Sequence, residues 1–175
     1  MDNYKRIAKF EFVSSQNFID ACEMENAEEL YRMLKLPKRA TVGSAGYDFY
    51  LPFDIVLNPG ETIKIPTGIR VKMEQNYVLK LYPRSGLGFK YRLQLNNTVG
   101  IIDSDYYYSD NEGHIFAKIT NDTNENKVVH LKQGDAFMQG IFLEYGITID
   151  DDTNEIRNGG FGSTSKWQKL TIADI

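Results

Sequence analysis

From residue 40 onward apolar and polar residues alternate with a period of two, which restricts the chain to a strand-built fold. In "ETIKIPTGIRVKM", residues 61–73, Ile63, Ile65, Ile69, Val71 and Met73 fall on one side of an extended chain. Thr62, Lys64, Arg70 and Lys72 fall on the other. "YVLKLYP", "HIFAKIT", "KVVHL" and "FMQGIFL" repeat the pattern, and Pro59-Gly60, Thr67-Gly68 and Gln133-Gly134-Asp135 punctuate the runs. Short strands with polar turns between them predict an all-β barrel or jelly roll.

The N-terminal 36 residues read differently. "RIAKFEFV" alternates as a strand, but in "ENAEELYRMLKLP" Ala27, Leu30, Tyr31 and Leu34 recur at helical spacing. Asn26 with Glu29 makes a capping pair and Pro37 lies past the end, so one short helix is expected at about residues 26–35. "TIDDDTNEIRNGGFGSTSKWQ" has neither period nor enough apolar residues to pack alone. The expected organisation is a β domain over 1–149, with its N-terminal extension at 1–36, and a flexible arm over 150–175.

At 175 residues, with 42% apolar and 13% aromatic residues, the chain is long and apolar enough for one real core. A net charge of −4 argues against a general nucleic-acid binder. One cysteine, Cys22, excludes an intrachain disulfide and a cysteine zinc site, and two histidines exclude a histidine-rich metal site. No apolar run is long enough to span a membrane, so no membrane partner is expected and a reducing cytoplasm is the expected compartment.

Four stretches have residues suited to chemistry. In "RNGGFGSTSK", 157–166, glycines surround Phe161 and hydroxyls follow, but the spacing is not that of a Walker A loop. By composition it is a disordered tail, whereas its lone aromatic suits a flat partner. In "YPRSGLGFKYRLQL", Arg84 offers a planar fork of donors for phosphate, Ser85 a hydroxyl and Gly86 close backbone approach; an ordinary turn has the same composition. In "NNTVGIIDSDYYYSD", an apolar run delivers Asp103 to its end; in a strand Asp103 and Asp105 would share a face, to hold a water or a hydrated cation. An edge-strand acidic turn explains the same residues. "VGSAGYDFYLP" is a tight entry into a strand, or a means of bringing Asp48 near a metal.

In order along the chain, "AGYDF" (45–49), "PRSGL" (83–87), "NNTVGIIDSDY" (96–106), "GDAFMQ" (134–139) and "GGFGST" (159–164) resemble the five motifs of the trimeric dUTP diphosphatases, the dUTPases. The resemblance spans about residues 36–164. It implies a jelly-roll-like β-barrel subunit in a homotrimer, with active sites shared between subunits. It also implies hydrolysis of dUTP to dUMP and pyrophosphate with Mg²⁺ on the triphosphate, which keeps uracil out of DNA and supplies dUMP for dTMP synthesis.

By this resemblance Asp103 activates the water that attacks the α-phosphorus. Asn97, within a β-hairpin, reads the uracil edge with backbone groups around Ile101 and Ile102, and Tyr106 packs beneath the deoxyribose. Arg84, Ser85, Gly86 and Gln139 match phosphate-binding positions, and Asp48 matches an aspartate near the magnesium's water shell. Phe161 matches the aromatic that covers uracil, with Gly162, Ser163 and Thr164 running toward the γ-phosphate.

The chain departs from the family pattern in places. Ala136 stands where an arginine is usual, "YYSDNE" (107–112) is an apparent insertion, and Arg157, which matches an arginine that reaches phosphate, lies one residue off its expected spacing from Phe161. Ser165 replaces a motif glycine, and Trp167–Ile175 and the N-terminal helix are extra. Two alternatives stand beside hydrolysis of dUTP: a dCTP deaminase of the same fold, and a dUTP-binding regulator acting through a protein partner.

Overall fold

The computed structural model describes residues 4–157 and Gly159. After β1 (Ala8–Phe12) come two short helices, α1 (Ser15–Ala21) and α2 (Ala27–Arg32), then β2 (Lys38–Arg39), β3 (Tyr47–Tyr50), β4 (Ile55–Leu57), β5 (Thr62–Pro66), β6 (Ile69–Met73) and β7 (Tyr77–Pro83). Next are α3 (Ser85–Tyr91), β8 (Leu93–Leu95), β9 (Gly100–Ile102), a 3₁₀ helix (Ser104–Tyr108), β10 (Phe116–Asn121), β11 (Val129–Leu131) and β12 (Ala136–Glu144).

Every strand pairing is antiparallel, and the strands sort into small sheets: β1-β6, β5-β10-β8, β11-β4, and the five-stranded β2-β3-β12-β7-β9. The architecture is the expected jelly-roll-like one, built from separate sheets rather than one continuously hydrogen-bonded barrel among the described residues. Alternation decides which face is buried. Ile65, Ile69, Val71 and Met73 enter the core with Phe49, Leu79, Ile119 and Phe137, while Thr62, Lys64 and Lys72 stay exposed. Gly60, Gly68 and Gly134 take positive φ values of 82°, 72° and 82° at the turns the sequence marked.

The N-terminal extension holds two helices where one was expected, and the Asn26 side chain makes no capping bond. α1 is instead capped by Ser14, which accepts from the Asn17 N–H at 3.2 Å. Asp103 and Asp105 do not lie in a strand: β9 stops at Ile102, and Asp103 takes the N-cap position of the 3₁₀ helix without a side-chain capping bond. β8 and β9 form no hairpin with each other; β8 pairs with β10 and β9 with β7, so the Asn97 loop bridges two sheets. "PRSGL" is the entry to α3 rather than a simple turn, and Arg92 ends that helix at φ 53°.

Candidate active site

β9 delivers Asp103 to a cleft of about 210 Å³ lined by Asn97, Ile101, Ile102, Asp103, Tyr106 and Arg157, among others. Register fixes this grouping. Pairing of Leu81 with Gly100 and Leu79 with Ile102 buries Gly100 against the core, leaving Ile101 exposed along the cleft. A Cβ at Gly100 would come within 3.0 Å of the Leu81 side chain, so a glycine lets the strand lie close.

Tyr106 forms the floor of this region. Its ring is buried, its hydroxyl donates to the His114 carbonyl at 2.7 Å, and it accepts from Asn111 Nδ2 at 2.8 Å. Burial pushes the hydroxyl above its usual pKa, against the Asn111 hydrogen bond and the charge of Arg157. Arg157 reaches Asp103 of its own chain, and its Nε donates to Asp105 Oδ1 at 2.9 Å. Two carboxylates that the sequence would offer to a water or a hydrated cation are thus joined by one guanidinium.

A second group forms at the far end of β7. Arg84, Ser85 and Gly86 line a cleft of about 350 Å³ with Leu87, Leu131, Asp135 and Ala136. Arg84 Nε lies 3.3 Å from Asp48 Oδ1, and Asp48 faces Gln139 in the register of β3 and β12. Gln139 Nε2 donates to the Pro83 carbonyl at 3.3 Å. A register shift between Ala136 and Met138 lets Phe137 turn into the core while Gln139 stays beside Asp48. Ala136, where an arginine is usual in the motif, thus leaves this cleft without that cation.

The two groups share no lining residue. Ile102 pairs with Leu79 and Gly100, which also lines the first cleft, pairs with Leu81, three residues or about 10 Å along the strand before Arg84. Phe161, Gly162, Ser163 and Thr164 lie outside the described residues. Among the described residues no three His, Cys, Asp or Glu side chains gather as a metal cage.

A family model described as dUTPase matches residues 32–165. The chain belongs to the dUTPase family. Among curated relatives, the deoxyuridine 5'-triphosphate nucleotidohydrolase of Lactococcus lactis is 43% identical over 135 residues, covering 75% of this chain and 88% of the relative. That of Tolumonas auensis is 37% identical over 139 residues, covering 75% and 87%. A solved Streptococcus mutans dUTPase superposes with TM-score 0.61 at 34% identity, covering 81% of this chain and 98% of that one. The Staphylococcus bacteriophage 80alpha dUTPase with dUPNHPP has TM-score 0.62 at 20% identity, covering 91% and 98%, and shares the fold. These dUTPase matches favour a nucleotidohydrolase over the dCTP deaminase alternative.

The sequence did not mark Asn17, Asn111 and His114, which surround Tyr106. Their partners lie up to 97 positions apart, so no local pattern joins them.

Proposed function

We propose that the protein hydrolyses dUTP to dUMP and pyrophosphate, keeping uracil out of DNA and supplying dUMP for dTMP synthesis. The observation that carries this reading is the grouping of Asn97, Ile101, Ile102, Asp103 and Tyr106 on one cleft. Asn97 and the β9 backbone read the uracil edge, and Tyr106 lies under the deoxyribose, where a 2′-hydroxyl would collide. Asp103 holds a water and takes its proton as the oxygen attacks the α-phosphorus. The bond from that phosphorus to the bridging oxygen breaks, and pyrophosphate leaves with the electron pair.

Arg84, Ser85, Gly86 and Gln139 bind phosphate, and Arg157 exchanges its carboxylate partners for phosphate when nucleotide enters. That the two residue groups line separate clefts supports a site completed between copies of the chain, as in a homotrimer. Within the arm, residues 150–175, Phe161 covers the base and Gly162, Ser163 and Thr164 run along the phosphates. The compartment proposed is the cytoplasm.

Magnesium fits this donor set as an ion carried in by the substrate. Asp48, already paired to Arg84, suits contact through water, and among the described residues no three carboxylates or imidazoles gather as a resident cage. Bound there, Mg²⁺ would neutralise phosphate charge. Pyrophosphate release from dUTP, dCTP, dTTP and UTP, with and without Mg²⁺, tests the reading. Release from dUTP alone, dependent on the metal, is expected; uracil product from dCTP without pyrophosphate from dUTP would overturn it.

A further inference from the structure

Four side chains close a ring of hydrogen bonds around the tyrosine of the cleft. His114 is fully buried, and its Nε2 accepts from the Gly68 N–H at 2.9 Å. A backbone N–H can only donate, so the imidazole proton sits on Nδ1 and is given to Asn17 Oδ1 at 2.8 Å. The other end of the same amide, Asn17 Nδ2, donates to the Asn111 carbonyl at 3.1 Å. Asn111 Nδ2 donates to the Tyr106 hydroxyl, which donates to the His114 carbonyl and completes the circuit. The Gly68 N–H fixes the donor directions at His114 and Asn17, and the His114 carbonyl, which can only accept, fixes those at Tyr106 and Asn111.

Asn17 is on α1, in the N-terminal extension, and Asn111 is in the inserted segment 107–112. Further contacts hold these two segments together. Glu112 accepts from the Ser14 N–H at 2.7 Å and from the Ser14 hydroxyl at 2.6 Å, and the Tyr107 hydroxyl donates to Glu11 at 2.6 Å. The extension therefore braces the insertion, and the insertion holds the Tyr106 hydroxyl.

We propose that Asn17 is a positioning residue: acting through Asn111 and His114, it fixes the height of the Tyr106 ring in the cleft and so sets discrimination against ribonucleotides. This rests on the proposed dUTP hydrolysis. A ring whose hydroxyl is held by Asn111 and the His114 carbonyl cannot sink to admit a 2′-hydroxyl; once Asn17 no longer anchors those two partners, it can. Asn17 itself touches no substrate, so its effect falls on selectivity rather than on the chemical step.

The test compares kcat/KM for dUTP and for UTP in the full chain, in Asn17→Ala and in Asn17→Asp, which keeps the acceptor for His114 but cannot donate to Asn111. Each folded variant is expected to lower the dUTP to UTP ratio by about five- to tenfold, the order of a net hydrogen-bond contribution, with kcat on dUTP little changed. In a Tyr106→Phe background, where the ring is already open, Asn17→Ala should move the ratio no further. A folded Asn17 variant with a lowered Tm but the wild-type ratio would overturn the inference alone. A wild-type chain that releases no pyrophosphate from dUTP would overturn it together with the functional reading.

Discussion

Arg157 pairs with Asp103, the carboxylate 54 positions before it, through a guanidinium only 20% exposed. In the free chain this contact occupies an oxygen that, under the proposed mechanism, the attacking water would need. Phosphate carries more charge and offers bidentate geometry, so nucleotide should draw the guanidinium away. Arg157→Ala is expected to lower kcat on dUTP by about 10- to 100-fold, the range of a lost charge-stabilising contact. Steady-state kinetics check this, and an unchanged kcat would show that Arg157 serves only the nucleotide-free chain.

His114 makes folding sensitive to pH. Burial pushes its pKa down to about 4, with nearby Lys64 acting in the same direction and Glu112 opposing. The unfolded imidazole, with an ordinary value near 6.5, takes up a proton first as pH falls. The stabilisation is therefore complete above about 6.5 and is lost progressively down to about 4, by roughly 3 kcal/mol in all. Urea midpoints at pH 7 and pH 4.5 should differ accordingly. His114→Asn, though less stable at pH 7, should lack this part of the fall.

Two glycines separate an effect on the site from an effect on the fold. A Cβ at Gly46 would meet the movable Gln139 Oε1 at 2.6 Å, so Gly46→Ala should displace that amide from Pro83 and raise KM with little loss of Tm. At Gly113 the φ is 70° and a Cβ would meet backbone, Tyr107 Cα at 2.7 Å. Gly113→Ala should lower stability by at least about 1 kcal/mol, because neither strain nor clash can relax through a side chain. Thermal melts and KM values on the two variants check the contrast.

The arm gives a separate expectation. Truncation after Asn158 removes Phe161, Gly162, Ser163 and Thr164 together, and should cripple turnover of dUTP while leaving the assembly state intact. Sedimentation of the truncated chain alongside its turnover tests both halves of that statement.

The strands were legible because period two is a local signal: "YVLKLYP" is β7 residue for residue. α3 was not, since Gly86 and Gly88 lower helix propensity and only Leu87 and Tyr91 pack, partly buried, against the core. α1 was missed because its cap is reinforced by Glu112, 98 positions away. In the site, Asn97, Ile101, Ile102, Asp103 and Tyr106 come together as the motif order implied, because they follow one another through a loop, β9 and the 3₁₀ helix. Arg157's partners were not legible: the resemblance sends it toward phosphate, and only folding brings it to Asp103 and Asp105.

The most direct measurement is pyrophosphate release from dUTP with Mg²⁺ by the wild-type chain and by Asp103→Asn, with nucleotide binding measured on both. Loss of the water-activating carboxylate should reduce turnover by about 10³-fold or more while binding persists. Turnover by Asp103→Asn equal to wild type, or a wild-type chain inert toward dUTP, would contradict the assignment of Asp103 as the catalytic base.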